Sequence, residues 1–304
     1  MRLVVEYPVD SATDGGSWLE PANIAAFART AEKCDVDGIA FTDHPAPPRR
    51  WLDAGGHETL DPFAALAFCA AATSRLRLMT WLAVLPYRNP FLTVKSMTTL
   101  DILSGGRTRF VVGTGYLKPE FDALGVDFGQ RNRLFEEAIE IIDRAWQGED
   151  ITWEGTAFTA NGQAIRPRPP QPSAPLWFGG NSAVVRDRVA RFGRGWAPFL
   201  SSRKVAGSAR TAAIASLEDL AASIADLSDR LRAAGRDHRE VAVLVGGDGI
   251  FDWRLTRADR RDQVRYLASI GVTHAVASFV GQPYVNVDHM LSEISTYRDV
   301  LNKE

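Results

Sequence analysis

Eight short runs of apolar, mostly β-branched or aromatic residues, separated by stretches of helical periodicity, constrain this chain more than any other feature. The runs are Leu3–Tyr7, Gly38–Thr42, Arg77–Leu85, Arg109–Gly115, Pro175–Gly180, Gly195–Leu200, Val241–Gly247 and His274–Phe279. Between them, Ile24, Phe27, Ala28 and Ala31 share one helical face, as do Phe135, Ile139, Ile142 and Trp146. Near-continuous apolar strands with amphipathic helices between them belong to a parallel sheet covered on both sides. Eight strand–helix units in 304 residues fit a closed (β/α)8 TIM barrel of the α/β class better than an open doubly wound sheet. One barrel domain over 1–304 is therefore expected, with two insertions. Residues 150–175, before strand five, read as a small hairpin and a proline-rich tether; 201–220, after strand six, read as a long polar and alanine-rich connection.

Composition narrows the function. A formal net charge of −2 gives no basic field for nucleic acid. The N-terminal apolar run is too short for a secretion signal, and no run approaches membrane-spanning length, so a cytoplasmic protein with no membrane partner is expected. Cys34 and Cys69 fall on apolar helix positions without partners at metal spacing, so buried thiols are expected and no metal site.

In a barrel of this kind, ligand-contacting residues gather at the carboxyl ends of the strands. Four motifs lie there. Asp43-His44 follows strand two and precedes Pro45, Pro47 and Pro48, which stiffen the loop. His44 can exchange a proton near neutral pH, and Asp43 can fix its tautomer or bind a ring nitrogen; a turn cap beside a satisfied polar pocket is the plainer alternative. Gly113-Thr114-Gly115 follows strand four, where bare backbone lets a flat ligand approach or simply makes a turn. Gly179, Gly180, Asn181 and Ser182 follow strand five and open a helix, as an anion site or an ordinary cap would. Thr80, Trp81 and Leu82 occupy strand three, where Thr80 and Trp81 point in opposite directions and only one can face the ligand.

These pieces in this order resemble the bacterial luciferase-like superfamily, and most closely its branch that uses the deazaflavin coenzyme F420. The likeness runs through "FTDHPAPPRRWLDAGGHETLDPFAALAF", "LPYRNPFLTVKSMTTLDILSGGR", "VVGTGYLKPEFDALGVDF" and "PLWFGGNS". The resemblance implies a (β/α)8 barrel holding the coenzyme, with Asp43 and His44 beside the deazaflavin ring. It also implies Gly113, Thr114 and Gly115 near the ring or its side chain, and Gly179, Gly180, Asn181 and Ser182 at the phosphate. A non-proline cis peptide is expected at Trp81–Leu82, under the ring. Trp81 itself departs from the smaller residues frequent there in relatives.

The leading expectation is an oxidoreductase moving a hydride between F420 and a small organic substrate, with His44 exchanging the proton and Asp43 orienting it or bonding the ring. The alternative is a flavin mononucleotide (FMN) monooxygenase of the same fold, using dioxygen and a partner reductase. A non-catalytic barrel that only binds a flavin-like ligand is the third reading. Either enzyme needs a separate reductase to supply reduced coenzyme, and a homodimer is the expected assembly.

Overall fold

The computed structural model describes residues 1–9, 17–208, 210–251, 255–279 and 287–301. Its strands are β1 (Arg2–Glu6), β2 (Gly38–Phe41), β3 (Arg77–Val84), β4 (Thr108–Gly113), β5 (Ile151–Glu154), β6 (Thr159–Gln163), β7 (Leu176–Gly179), β8 (Gly195–Ala197), β9 (Phe199–Leu200), β10 (Ala242–Gly247) and β11 (His274–Ser278). Its helices are α1 (Pro21–Lys33), α2 (Arg49–Asp53), α3 (Pro62–Ala72), α4 (Pro90–Ser104), α5 (Lys118–Ala123), α6 (Arg131–Gln147), α7 (Ala183–Phe192), α8 (Arg203–Ser208), α9 (Leu217–Ala233), α10 (Arg257–Ser269) and α11 (Val287–Leu301). The strand order β11-β1-β2-β3-β4-β7-β8-β10, with β11 also paired to β10, is that of a (β/α)8 TIM barrel. All eight strands read from the sequence are present; the sixth is split into β8 and β9 at Pro198, which has no N–H to give a ladder.

The residues fall into two compact units, Met1–Ala40 with Arg75–Arg77 and Leu176–Glu304, and Phe41–Ser74 with Leu78–Pro175. In the first, β1 pairs in parallel with β11, Val4 opposite Val276, and with β2, Val5 opposite Ile39. These residues are fully or almost fully buried, which is why the strand carries valines on both faces instead of alternating with polar residues. The connection after β9, read from the sequence as polar chain, contains the short helix α8; the Ser202 hydroxyl accepts from the Val205 N–H at its start.

In the second unit, β3 and β4 pair in parallel, with a register shift between Thr80 and Ala83. The Trp81–Leu82 peptide in that interval is cis, as the resemblance implied. Helices α3 and α4 start on side-chain caps, each followed by proline at the first helical position, where no N–H is needed: Asp61 accepts from Phe63 and Ala64, and Asn89 accepts from Phe91. The apolar face of α6 is the one the periodicity marked, with Phe135, Ile139, Ile142 and Trp146 all buried.

The hairpin β5–β6 is antiparallel and is tied to α6. Both carboxylate oxygens of buried Glu137 accept from the Thr156 N–H, and the Thr156 hydroxyl donates to the same group. The proline-rich tether is fastened by Gln171. Its side-chain amide donates to fully buried Asp101 at 2.7 Å, and its carbonyl accepts from the Trp146 indole at 2.9 Å. An insertion pinned at both places by buried polar groups is part of the fold, because freeing either partner would strand a desolvated group. Among the described residues, no helix is long and apolar enough to cross a membrane.

Candidate active site

β2 ends at Phe41, and the chain then delivers Asp43 and His44 before Pro45, Pro47 and Pro48 lead into α2. The His44 backbone is clamped by one side chain: the Thr59 hydroxyl accepts from its N–H at 3.2 Å and donates to its carbonyl at 3.1 Å. The imidazole packs against Trp51, with centroids 4.6 Å apart, and meets His57 and Tyr116 edge-on at 5.2 and 5.9 Å.

Its Nδ1 lies 2.9 Å from Oε2 of Glu120, a fully buried residue on α5. The same oxygen accepts from the Tyr87 hydroxyl at 2.8 Å, and Oε1 accepts from the Ala46 N–H at 3.1 Å. A carboxylate can only accept, so His44 donates from Nδ1 and its exchangeable lone pair is on Nε2. Among the described residues nothing bonds that Nε2, and unlike the Nε2 of His57 it is not sealed from solvent. The pair can therefore take up and return a proton at one defined atom.

Asp43 does something different from what the sequence reading gave it. Its carboxylate is not the partner of His44. Oδ2 accepts from the Val84 N–H at 3.0 Å and from Arg88 Nη1 at 2.6 Å, while Oδ1 accepts from Arg88 Nη2 at 2.9 Å. This is a bidentate pair around an almost fully buried side chain, and Arg88 extends it to Asp61, the cap of α3. Burial pulls the Arg88 guanidinium down, but the bonds and charges of Asp43 and Asp61 outweigh it, so the group is held above its usual range. Asp43 is thus an anchor for the strand end that carries His44. The acid that orients the imidazole was missed because it lies 76 residues further along the chain. The one signal for it was an acid beside Phe121 on the short helix after Gly113-Thr114-Gly115.

Thr80 also departs from the sequence expectation. It is fully buried and its hydroxyl donates to the Val111 carbonyl at 2.7 Å, so it does not face a ligand; Trp81 and Leu82, like Arg77 at the start of β3, are partly exposed. The glycines after β4 have a packing reason. A Cβ on Gly113 would come within 2.6 Å of Leu82 Cδ1, and one on Gly115, where φ is +73°, within 2.6 Å of Val84 Cγ1. Thr114 between them is half-buried.

The turn Gly179–Ser182 belongs to the first unit. The sequence left an anion site or an ordinary cap open here; the Gly180 N–H donates to Ala197 O at 3.2 Å and the Asn181 N–H to the Thr211 hydroxyl at 3.2 Å. The Asn181 side chain bridges to Phe199 and Ala212, and Ser182 caps α7 by accepting from Val185.

Burial decides the other titrating groups nearby. Burial, then the neighbouring charge of Glu120, pushes the Tyr116 phenol up to about 12. Burial raises Tyr87 further, reinforced by the charge of Glu120 and the hydrogen bond to it. Burial also pushes the Cys69 thiol up to about 12, leaving it inert. His57 is lowered to about 4 from 6.5, first by burial and then by His44, with Glu120 opposing. Above pH 6.5 it is neutral whether the chain is folded or unfolded. As the pH falls toward 4, the unfolded chain takes up a proton that the folded one refuses, and stability drops by about 3 kcal/mol. His57→Phe keeps the ring contacts and should flatten this part of the stability–pH curve, as measured by urea unfolding between pH 4 and 7. Parallel curves for the two proteins would show that His57 does not carry the loss.

Among the described residues, no group of three or more His, Cys, Asp or Glu is placed to hold a metal ion. A family model described as luciferase-like monooxygenase matches residues 1–299. The F420-dependent glucose-6-phosphate dehydrogenase of Kineococcus radiotolerans is 31% identical over 180 residues, 58% of this chain and 52% of that protein. The match thus spans about half the length of that curated relative. Among solved structures, a monooxygenase from Streptomyces bottropensis superposes with a TM-score of 0.82 at 17% identity, covering 99% of this chain and 98% of that one. The coenzyme F420-dependent tetrahydromethanopterin reductase of Methanopyrus kandleri gives 0.72 at 16% identity, covering 98% and 97%. At those identities the likeness is one of fold. The match of the family model over nearly the whole chain says more: this protein belongs to the luciferase-like monooxygenase family, on a (β/α)8 barrel.

Proposed function

We propose that this enzyme is an F420-dependent oxidoreductase acting on a small organic substrate at a hydroxyl or carbonyl carbon, with His44 as its acid–base residue. The observation that carries the reading is the Glu120–His44 pair, which leaves one ring nitrogen, Nε2, without a protein partner. Oxidation of an alcohol needs a base at the hydroxyl, and a neutral imidazole fixed in one tautomer is suited to that proton; the reverse reaction returns it from the same atom.

The segments at the end of β3 and after β4, where Tyr116 meets His44 edge-on, suit a flat heteroaromatic ring. Trp81, Leu82, Thr114, Gly115 and Tyr116 are partly exposed, and Gly113 presents no side chain. These residues would hold the coenzyme, whose deazaflavin supplies the hydride chemistry when bound. The protein's own share is to hold His44 in one orientation and to keep charge balanced around it. In the first unit, Gly179, Gly180, Asn181 and Ser182 are the residues proposed to meet an anionic group, through the first N–H groups of α7. F420 is favoured over FMN because the curated relative at 31% identity is named for F420. A homodimer in the cytoplasm completes the proposal, with a separate enzyme to reduce the coenzyme where the organic substrate is the hydride acceptor.

Titrating the purified protein with F420 and with FMN, followed by absorbance and fluorescence, tests the assignment. F420 should bind at least about tenfold more tightly, a difference of about 1.4 kcal/mol. Tighter binding of FMN, together with oxygen uptake when reduced FMN is supplied, would instead make the protein a monooxygenase.

A further inference from the structure

One oxygen of Glu120 serves two donors. Oε2 lies 2.8 Å from the Tyr87 hydroxyl and 2.9 Å from His44 Nδ1, while the Ala46 N–H holds Oε1. Tyr87 closes the 3-10 turn Leu85–Tyr87 that follows β3, and it is buried. Its ring packs edge-on against Phe121 at 4.8 Å, within an apolar cluster that includes Val84 and Phe128. The next residue, Arg88, is clamped to Asp43 and Asp61. The hydroxyl is therefore held on both sides, by the packing of its own ring and by the ion pair of its neighbour.

We propose that Tyr87 is a positioning residue of the acid–base pair: by sharing Oε2 of Glu120 with Nδ1 of His44, its hydroxyl sets how strongly the carboxylate draws on the imidazole. This rests on the reading of His44 as the acid–base residue. Two donors on one oxygen compete for the same electron density, so removing the phenol concentrates the carboxylate's pull on Nδ1–H. Glu120 itself stays in place, because Ala46 still holds its other oxygen. The elements packed on His44 present few other polar groups. Among the described residues they are the indole of Trp51 on α2, His57 and Thr59 from the segment after α2, Tyr116 from the segment after β4, and the Asp43–Arg88 pair. The desolvated state of Tyr87 keeps it a donor throughout the working range.

The test is Tyr87→Phe, which keeps the ring and its packing. With ¹⁵N-histidine labelling, the His44 Nδ1–H resonance should move downfield in the variant, in the protein free of coenzyme and substrate. The low-pH limb of substrate oxidation should move to higher pH by about 0.5–1 pH unit, because a stronger acceptor favours the protonated ring. Tyr116→Phe is the control. It keeps a ring edge against His44, removes no donor from Glu120, and should leave the resonance where it is. An unmoved Nδ1–H in Tyr87→Phe, or an equal movement in both variants, overturns the proposal. The resonance and the function separate cleanly: if His44→Ala retains full turnover, the acid–base reading falls, while a shifted Nδ1–H still upholds the Tyr87–Glu120–His44 coupling.

Discussion

Replacing His44 with alanine is expected to lower turnover by a hundredfold or more while coenzyme affinity changes by no more than about threefold. The imidazole is anchored by Glu120 and packed by Trp51, His57 and Tyr116, so its removal deletes the one partner-free nitrogen of the pair and leaves its surroundings assembled. Single-turnover kinetics with saturating coenzyme would separate the two effects. A turnover that survives intact would remove the proton-exchange role and leave the family membership, which rests on the sequence match, untouched.

The second large effect is on stability. In Arg88→Met the Asp43 carboxylate, with a side chain only 1% exposed, keeps the Val84 N–H but loses both bonds to the guanidinium. A buried charge left without its partner costs about 3–5 kcal/mol, so the unfolding midpoint in urea should fall well below that of the parent. The double variant Asp43→Asn with Arg88→Met should recover part of this, because it removes the stranded charge as well. If Arg88→Met alone matches the parent, the pair is not what holds the end of β2.

The barrel was legible because its signal is repeated: eight apolar runs in parallel strands cannot be read in many ways. The start of α4 was legible too, where Asn89-Pro90 announces a helix, whereas the sixth strand was read as continuous through Pro198, which interrupts it. His44 could be singled out because it sits just past a strand end, next to prolines. Its partner could not, since a contact across 76 residues leaves no periodic trace, and an adjacent acid offered a nearer candidate. Glu120 takes the role that adjacency suggested for Asp43, whose carboxylate faces Arg88 instead. The glycines at 113 and 115 show a related limit. A bare backbone position looks the same in sequence whether it makes room for a ligand, for side chains such as Leu82 and Val84, or for both.

Glu120 has no face toward water and accepts from Ala46, Tyr87 and His44 at once. It therefore cannot pass a proton outward, and the pair is a dead end rather than a wire. On the proposed acid–base role, a proton taken up at Nε2 would leave by the same door, held captive by any molecule resting there until it departs.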